Sequence, residues 1–318
     1  MERTLLSLGS INADFQVRTH AAPGSTETLL AHNFCRFPGG KAANTAYLGA
    51  LFGHRSYLFG RVGDDDLAEQ ALSPLREVGV EVTGVSRAEG QATGVSMIMV
   101  PPDGKKQIVL ATNANDQWSE AAVDAMQRQI AGISGPACLV VDYEVPAWVV
   151  RRAVESARHC DVPVVIDPSF PERVEDDLLG KLLAITPNLA EAEALLGKQL
   201  GSLDKVAEAA RHFHSLGVRN VCIKLSDGGC VLVSEGQSMH LPAADVDPVD
   251  TTGAGDAFTG VLAISLLEGL DILEAASWAV AAANLAVTGY GSQPAYANRH
   301  DVKTMAEQRL QRAKRLDV

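Results

Sequence analysis

Cys138-Leu139-Val140-Val141-Asp142, a helical segment over 147–158, and Val162-Pro163-Val164-Val165-Ile166-Asp167 make one strand–helix–strand unit. Two β-branched runs joined by a helix require a crossover, which brings the strands together in parallel. The same rhythm extends in both directions. Further strands are expected at 5–8, 56–60, 183–186 and 221–225, and helices at 42–52, 67–78, 121–131, 189–196, 203–216, 255–268, 272–288 and 301–316. The reading is an α/β fold: a mostly parallel central sheet with helices on both faces. Two segments, 15–36 and 91–111, lack a helical period. The second contains Gly94-Val95-Ser96-Met97-Ile98-Met99-Val100, a Pro101-Pro102-Asp103-Gly104-Lys105 turn and Gln107-Ile108-Val109-Leu110, which together read as a hairpin. Both segments are expected to form a small β lid over the carboxyl ends of the strands, where ligands bind in such sheets. The apolar run 95–100 favours a covered or dimerised face. The whole chain, 1–318, is read as one domain carrying these two insertions.

Composition narrows the function classes. With a net charge of −12, the chain is not expected to bind nucleic acid or anionic membrane, each of which needs a basic surface. Hydrophobic content of 47% and a mean hydropathy of +0.05 fit a globular protein with ample core. The apolar stretch 272–287 is interrupted by Glu274 and Asn284, so no membrane span is expected. Cysteines 35, 138, 160, 222 and 230 are odd in number and show no metal spacing. They are expected to be reduced, buried thiols in a cytoplasmic protein, in keeping with an N-terminus without a secretory apolar segment.

The chemistry centres on Asp250-Thr251-Thr252-Gly253-Ala254-Gly255-Asp256-Ala257-Phe258, where small residues open an apolar helix. Backbone N–H groups at such a start can close on an anion, helped by the helix dipole. Asp256 in the first turn could accept a proton from an attacking hydroxyl. A tight turn with a favourable first-turn charge is the plainer explanation of these residues in isolation. No Walker A sequence occurs, since Gly40-Lys41 is followed by Ala42 and Gly197-Lys198 by Gln199, and the dinucleotide glycine pattern fails at Phe258. No HExxH or serine–histidine triad emerges.

Three further motifs accompany it. Pro38-Gly39-Gly40-Lys41-Ala42-Ala43-Asn44 is a second glycine turn entering a helix, with Lys41 and Asn44 on one face. An ammonium, an amide and a glycine-lined backbone suit a polyhydroxylated ligand; an ordinary turn with an exposed lysine is the alternative. Asn12 and Asp14, alternating about Ala13, can point to one side and receive sugar hydroxyls. In Thr186-Pro187-Asn188-Leu189-Ala190-Glu191, Asn188 and Glu191 fit either a water-bound Mg²⁺ or a helix capping box. Lys224-Leu225-Ser226-Asp227-Gly228-Gly229 is either a nucleotide-approaching turn, with Lys224 near phosphates, or a simple hairpin.

Taken together these motifs resemble the ribokinase family, the PfkB carbohydrate kinases. The likeness also includes Gly60-Arg61-Val62-Gly63-Asp64-Asp65, Ala286-Val287-Thr288, Gly291 and Gln293-Pro294, and so runs nearly end to end. The resemblance implies ATP-dependent phosphorylation of the primary hydroxyl of a small sugar, D-ribose to ribose 5-phosphate. A nucleoside, fructose or a 2-keto-3-deoxy sugar acid are the alternative acceptors within the family. A non-catalytic sugar-binding regulator on the same fold is the reading from another class. The implied sugar pocket is Asn12, Asp14, Gly40, Lys41, Asn44 and Glu144, with Asp256 as base and Gly253, Ala254 and Gly255 stabilising the phosphoryl oxygens. ATP would be held by Asn188, Lys224, Ser226, Asp227, Gly228, Gly229 and Gly255, with Mg²⁺ near Glu191 through water. A K⁺-like site would use Asp250, Thr252, Ala286, Gly289, Gly291 and Ala295. The lid commonly forms a homodimer interface in this family. Two positions depart from its pattern: Lys224 stands where Thr is frequent and Gly289 where Arg is frequent.

Overall fold

The computed structural model describes residues 3–21 and 28–316. Ten strands form the central sheet. Its parallel part runs from Glu81–Arg87 at one edge through Arg55–Val62, Thr4–Leu8, Ala137–Asp142, Val164–Asp167 and Ala184–Ile185 to Asn220–Lys224. Three antiparallel strands, Cys230–Ser234, Gln237–Leu241 and Lys314–Arg315, complete the other edge.

Every residue of Thr4–Leu8 and Ala137–Asp142 is buried, as strands covered on both faces require. Alternation then sorts their side chains into two cores. Leu6, Leu8, Leu139, Val141 and Ile166 pack with the helices Glu120–Ala131, Ala147–His159 and Leu203–Ser215. Leu5, Cys138, Val140 and Val165 meet Ala254–Glu268 and Ile272–Ala286 on the opposite face. Helices on both faces are thus observed.

The two aperiodic segments pair into one four-stranded sheet, ordered Ala31–Gly39, Asn12–Thr19, Gly94–Val100, Gln107–Ala111. The expected hairpin is present, with Met97 opposite Val109. The first segment starts earlier than expected, at Asn12, and is itself a hairpin whose residues 22–27 lie outside the described residues. Its inner strand pairs in parallel with Gly94–Val100, so Asn12 lies beside Gly94 and Asp14 beside Ser96.

Several expectations need correction. The last helix, expected over 301–316, is Arg299–Gln311; the chain then turns so that Lys314 pairs with His240. The helix expected over 272–288 stops at Ala286, because the next carbonyl, that of Val287, accepts from Val249 and Asp250 N–H instead. Strands Glu81–Arg87, at one edge of the sheet, and Gln237–Leu241, next to the other, escaped the sequence reading; partly exposed strands carry no continuous apolar run. Of the five free cysteines, Cys138, Cys222 and Cys230 are buried as expected, but Cys160 is exposed and Cys35 half-buried. Among the described residues, no helix is long and apolar enough to cross a membrane.

Candidate active site

A cavity of about 410 Å³ opens between the carboxyl ends of the parallel strands and the inner face of the four-stranded sheet. Asp142, Asp167 and Lys224 are each the last residue of their strand, so the parallel sheet itself presents three ionisable groups at this end. Asn12, Asp14, Ser96 and Ile98 line the cavity from the small sheet; Gly40, Lys41 and Asn44 line it from the start of the helix Lys41–Leu51.

At its centre the helix Ala254–Glu268 begins without any side-chain cap, Gly253 standing at its N-cap with φ 76°. A Cβ at Gly253 would lie 2.6 Å from the Ser292 side chain, so both the backbone conformation and the space demand glycine. Among the described residues the N–H groups of Gly253, Gly255 and Asp256 meet no acceptor, and that of Ala254 only a long one, the Thr251 carbonyl at 3.4 Å. These are the unpaired donors of a helix start aimed at a cavity, an arrangement suited to an anion. Asp256 lines the same space. Its Oδ1 accepts from Lys41 Nζ at 3.2 Å and its Oδ2 from Asn44 Nδ2 at 2.7 Å. Asn44 is fixed in turn by Ser292 and Gln293, which both donate to its Oδ1 at 3.1 Å. The face shared by Lys41 and Asn44 therefore orients a carboxylate.

Behind Asp256 lies a buried charge network that the sequence reading missed. Asp167 receives Lys224 Nζ at 2.8 Å and Thr259 Oγ1 at 3.1 Å on Oδ2, with Lys41 Nζ 3.4 Å from Oδ1. Burial opposes its charge, but the two lysines hold its carboxyl well below the usual carboxylate range. Lys41 is itself held well above the ordinary lysine value: burial opposes its charge, and Asp167 and Asp256 overcome it. An aspartate closing a β-run at the carboxyl edge was the available sequence signal.

The far end of the cavity lies under the small sheet. Asn12 Oδ1 accepts from Asn115 Nδ2 at 2.8 Å, and Asn115 is pinned by bonds to both main-chain groups of Ile11. Asp14 is 4% exposed, and its Oδ1 has no partner. Burial pushes its carboxyl up to about 7, against a hydrogen bond from Ser96. Glu144 lines the cavity, and its carboxyl is also raised by burial, against the pull of Lys41.

At the opposite end Asn188 and Glu191 do form the capping box: Asn188 Oδ1 accepts from Glu191 N at 2.9 Å and Glu191 Oε2 from Asn188 N at 2.8 Å. Both nevertheless line the cavity, and Glu191 Oε1 keeps no hydrogen-bond partner among the described residues. One side chain thus closes a helix start and offers an oxygen suited to a hydrated divalent cation. Lys224, Leu225, Gly228 and Gly229 line this end; Ser226 and Asp227 do not. Asp227 instead shapes the turn, its Oδ1 accepting from Gly229 N at 2.8 Å.

Behind the glycine turn, Asp250 is fully buried. Its Oδ1 accepts from Thr252 N and Oγ1, and its Oδ2 from Gln16 Nε2 and Gly291 N. Those donors take up the lone pairs of the carboxylate, so a monovalent cation here would rest on main-chain carbonyls. Gly289 and Ala295 adjoin, since a Cβ on Gly289 would lie 2.8 Å from that of Ala295. Thr252 borders the cavity; Ala286, Gly289, Gly291 and Ala295 lie off it.

Comparison with known proteins places the chain in a family. The model of the pfkB family of carbohydrate kinases matches residues 2–299. A ribokinase of Haemophilus influenzae is 32% identical over 307 residues, covering 96% of this chain and 99% of the relative. The crystal structure of a ribokinase from Thermotoga maritima superposes with a TM-score of 0.81 at 30% identity, over 96% of this chain and 99% of that one. The Arabidopsis thaliana ribokinase, solved with ribose and ATP, gives a TM-score of 0.80 at 29% identity over the same shares. The chain belongs to the PfkB family of carbohydrate kinases.

Proposed function

We propose that this protein transfers the γ-phosphoryl group of ATP to the primary hydroxyl of D-ribose, giving ADP and ribose 5-phosphate. The observation that carries this is a carboxylate, Asp256, set in the first turn of a helix whose free N–H groups face the same cavity as Asn12 and Asp14. The relatives named above are ribokinases, and one holds ribose and ATP.

Asn12, Asp14, Gly40, Lys41, Asn44 and Glu144 would hold the sugar, with Asp14 Oδ1 receiving a hydroxyl. The nucleotide would lie along Asn188, Lys224, Gly228, Gly229 and Gly255, while Ser226 and Asp227 shape the turn from behind. Asp256 orients the acceptor hydroxyl. As that oxygen bonds to the γ-phosphorus and the bond to the β-phosphate oxygen breaks, the hydroxyl proton passes to the Asp256 carboxylate. A loose transition state needs little early deprotonation, so a weakly basic carboxylate suffices. The N–H groups of Gly253, Ala254 and Gly255 stabilise charge on the transferring oxygens. Mg²⁺, held through water by Glu191 Oε1, would neutralise phosphate charge. A monovalent cation would sit on the carbonyls around Thr252, Ala286, Gly289, Gly291 and Ala295.

The four-stranded sheet is read as a lid that excludes water, the competing acceptor. Its outer face carries Phe34, Met97 and Val109 at 60%, 62% and 66% exposure, and a second copy of this chain would cover them. The protein would work in the cytoplasm, where ATP is available and free thiols stay reduced.

The test is ADP release across a panel of ribose, fructose, nucleosides and sugar acids, with K⁺ or Na⁺. Fastest turnover on ribose is expected; a strong nucleoside response with none on ribose would replace the acceptor. Sugar binding without ADP release from any substrate would leave only a binding protein.

A further inference from the structure

Three lysines line the cavity, and two are committed. Lys41 pairs with Asp256 and Asp167, and Lys224 with Asp167. Lys106 has no carboxylate within ion-pair distance among the described residues; its Nζ donates only to the Thr251 carbonyl, at 2.9 Å. An ammonium has three N–H donors, so two remain for another acceptor. Lys106 is half-buried, and shielding such a charge against a single neutral carbonyl opposes folding and calls for a second role.

Its position supplies that role. Lys106 belongs to the turn between Gly94–Val100 and Gln107–Ala111, far in sequence from the glycine turn. The tip of that hairpin is clasped to Thr251 from both sides: Gly104 O accepts from Thr251 N at 3.4 Å and from Thr251 Oγ1 at 3.2 Å, while Lys106 reaches the carbonyl. Thr251 lies two residues before Gly253, where the unpaired N–H groups begin. Asp256, Asp250, Asp14 and Lys41 are the charged groups facing the ammonium.

We propose that Lys106 is a catalytic residue: carried to the glycine turn by the small sheet, it places its ammonium against the phosphoryl group in transit and offsets the charge developing there. The inference rests on the kinase reading above. It makes closure of the sheet and completion of the phosphate site a single event, because the residue that latches the hairpin is also the cation. Transfer to water, with the hairpin away, would lack that cation. Burial holds Lys106 below the ordinary lysine value, while Asp256 and Asp250 support its charge. It would therefore lose its proton at lower pH than Lys41, which is held well above the ordinary lysine value.

The variants Lys106→Gln, Lys106→Met and Lys106→Arg separate cation from latch, since glutamine can still donate to the Thr251 carbonyl without charge. At saturating ATP and sugar, kcat of the Gln and Met variants is expected to fall about a hundredfold, the scale of losing one transition-state donor. The sugar KM should stay within about threefold of wild type, the signature of an interaction made in the transition state. The arginine variant should keep at least a tenth of kcat, and the alkaline fall in wild-type kcat, beginning below the ordinary lysine range, should be absent from it. Wild-type kcat in Lys106→Gln would reduce Lys106 to a latch, and a loss confined to KM would make it an acceptor-binding group; either overturns the inference. Equal loss of kcat in all three variants, with a lowered melting temperature, would also overturn it. If wild type itself released no ADP with any sugar, the kinase reading would fall first.

Discussion

Asp14 and Asp167 border one site and are almost equally shielded from water, at 4% and 3% exposure, yet their charges are managed in opposite ways. Asp167 lies between two lysines, which hold its carboxyl well below the usual range. Asp14 sits on the inner face of the small sheet with Ser96 as its hydrogen-bond donor and an orphaned Oδ1, and burial lifts it to about 7. Depth alone therefore does not set protonation; the partner does. The difference divides the site's labour. In the function proposed, the Asp167 end would fix cations for phosphate chemistry, and the Asp14 end would keep an acceptor for hydroxyl donors.

The largest effect is expected where the two ends meet. Asp256→Asn should lower kcat by roughly 10³-fold, in the range of general-base catalysis, with sugar affinity nearly unchanged by calorimetry. Near-wild-type turnover would remove Asp256 as the base. Asp167→Asn tests the cation-holding end: it takes from Lys224 its ion-pair partner and leaves Lys41 with Asp256 alone, and losing one partner of a buried ion pair costs about 3–5 kcal/mol. A clear drop in melting temperature and a lower kcat should appear together. An unchanged melt would show that the lysines find other partners.

Asp14→Asn tests the opposite end, and the sign of its effect on stability is reversed. The folded-state value of about 7 lies above that of an unfolded aspartate, about 3.9. Stability from this group is thus fully present below about pH 4 and is lost as pH rises through about 7. The asparagine variant should therefore melt a few degrees higher than wild type at pH 8 and equally at pH 4, while its sugar KM rises. A melt lowered at pH 8 would mean that the ionised carboxylate is supported after all. The smallest change in turnover is expected from Met97→Lys on the outer face of the small sheet. Sedimentation should show the protein shifting toward monomer, with kcat within about threefold, since side chains alternate between the faces of a strand. A dimer that persists in this variant would place the interface elsewhere.

Much of this was legible in the chain. The buried strands read clearly because parallel strands covered on both faces are continuously apolar, as at Ala137–Asp142. The glycine turn read clearly because a helix start that must approach an anion tolerates little else. The edge strand Glu81–Arg87 was not legible, since its half-exposed residues resemble loop, and the end of the last helix was set by a distant partner, His240. Asn115 and Lys106 were invisible as site residues for a related reason, each being an isolated polar residue with no motif around it, and Asp167 offered only its place at the end of a β-run. Their roles appear only when Lys224, Asn12 and Thr251 arrive beside them.

The sequence by itself determined the layered α/β architecture, the two departures from it and the cradle with its carboxylate, because periodicity and small-residue turns are local properties. Only the tertiary structure decided which charges are paired. It joined two hairpins about eighty residues apart into one sheet, set Asp14 on its inner face with an unpartnered oxygen, and brought Lys106 to Thr251. Electrostatics falls with distance in space, and chain order does not encode that distance.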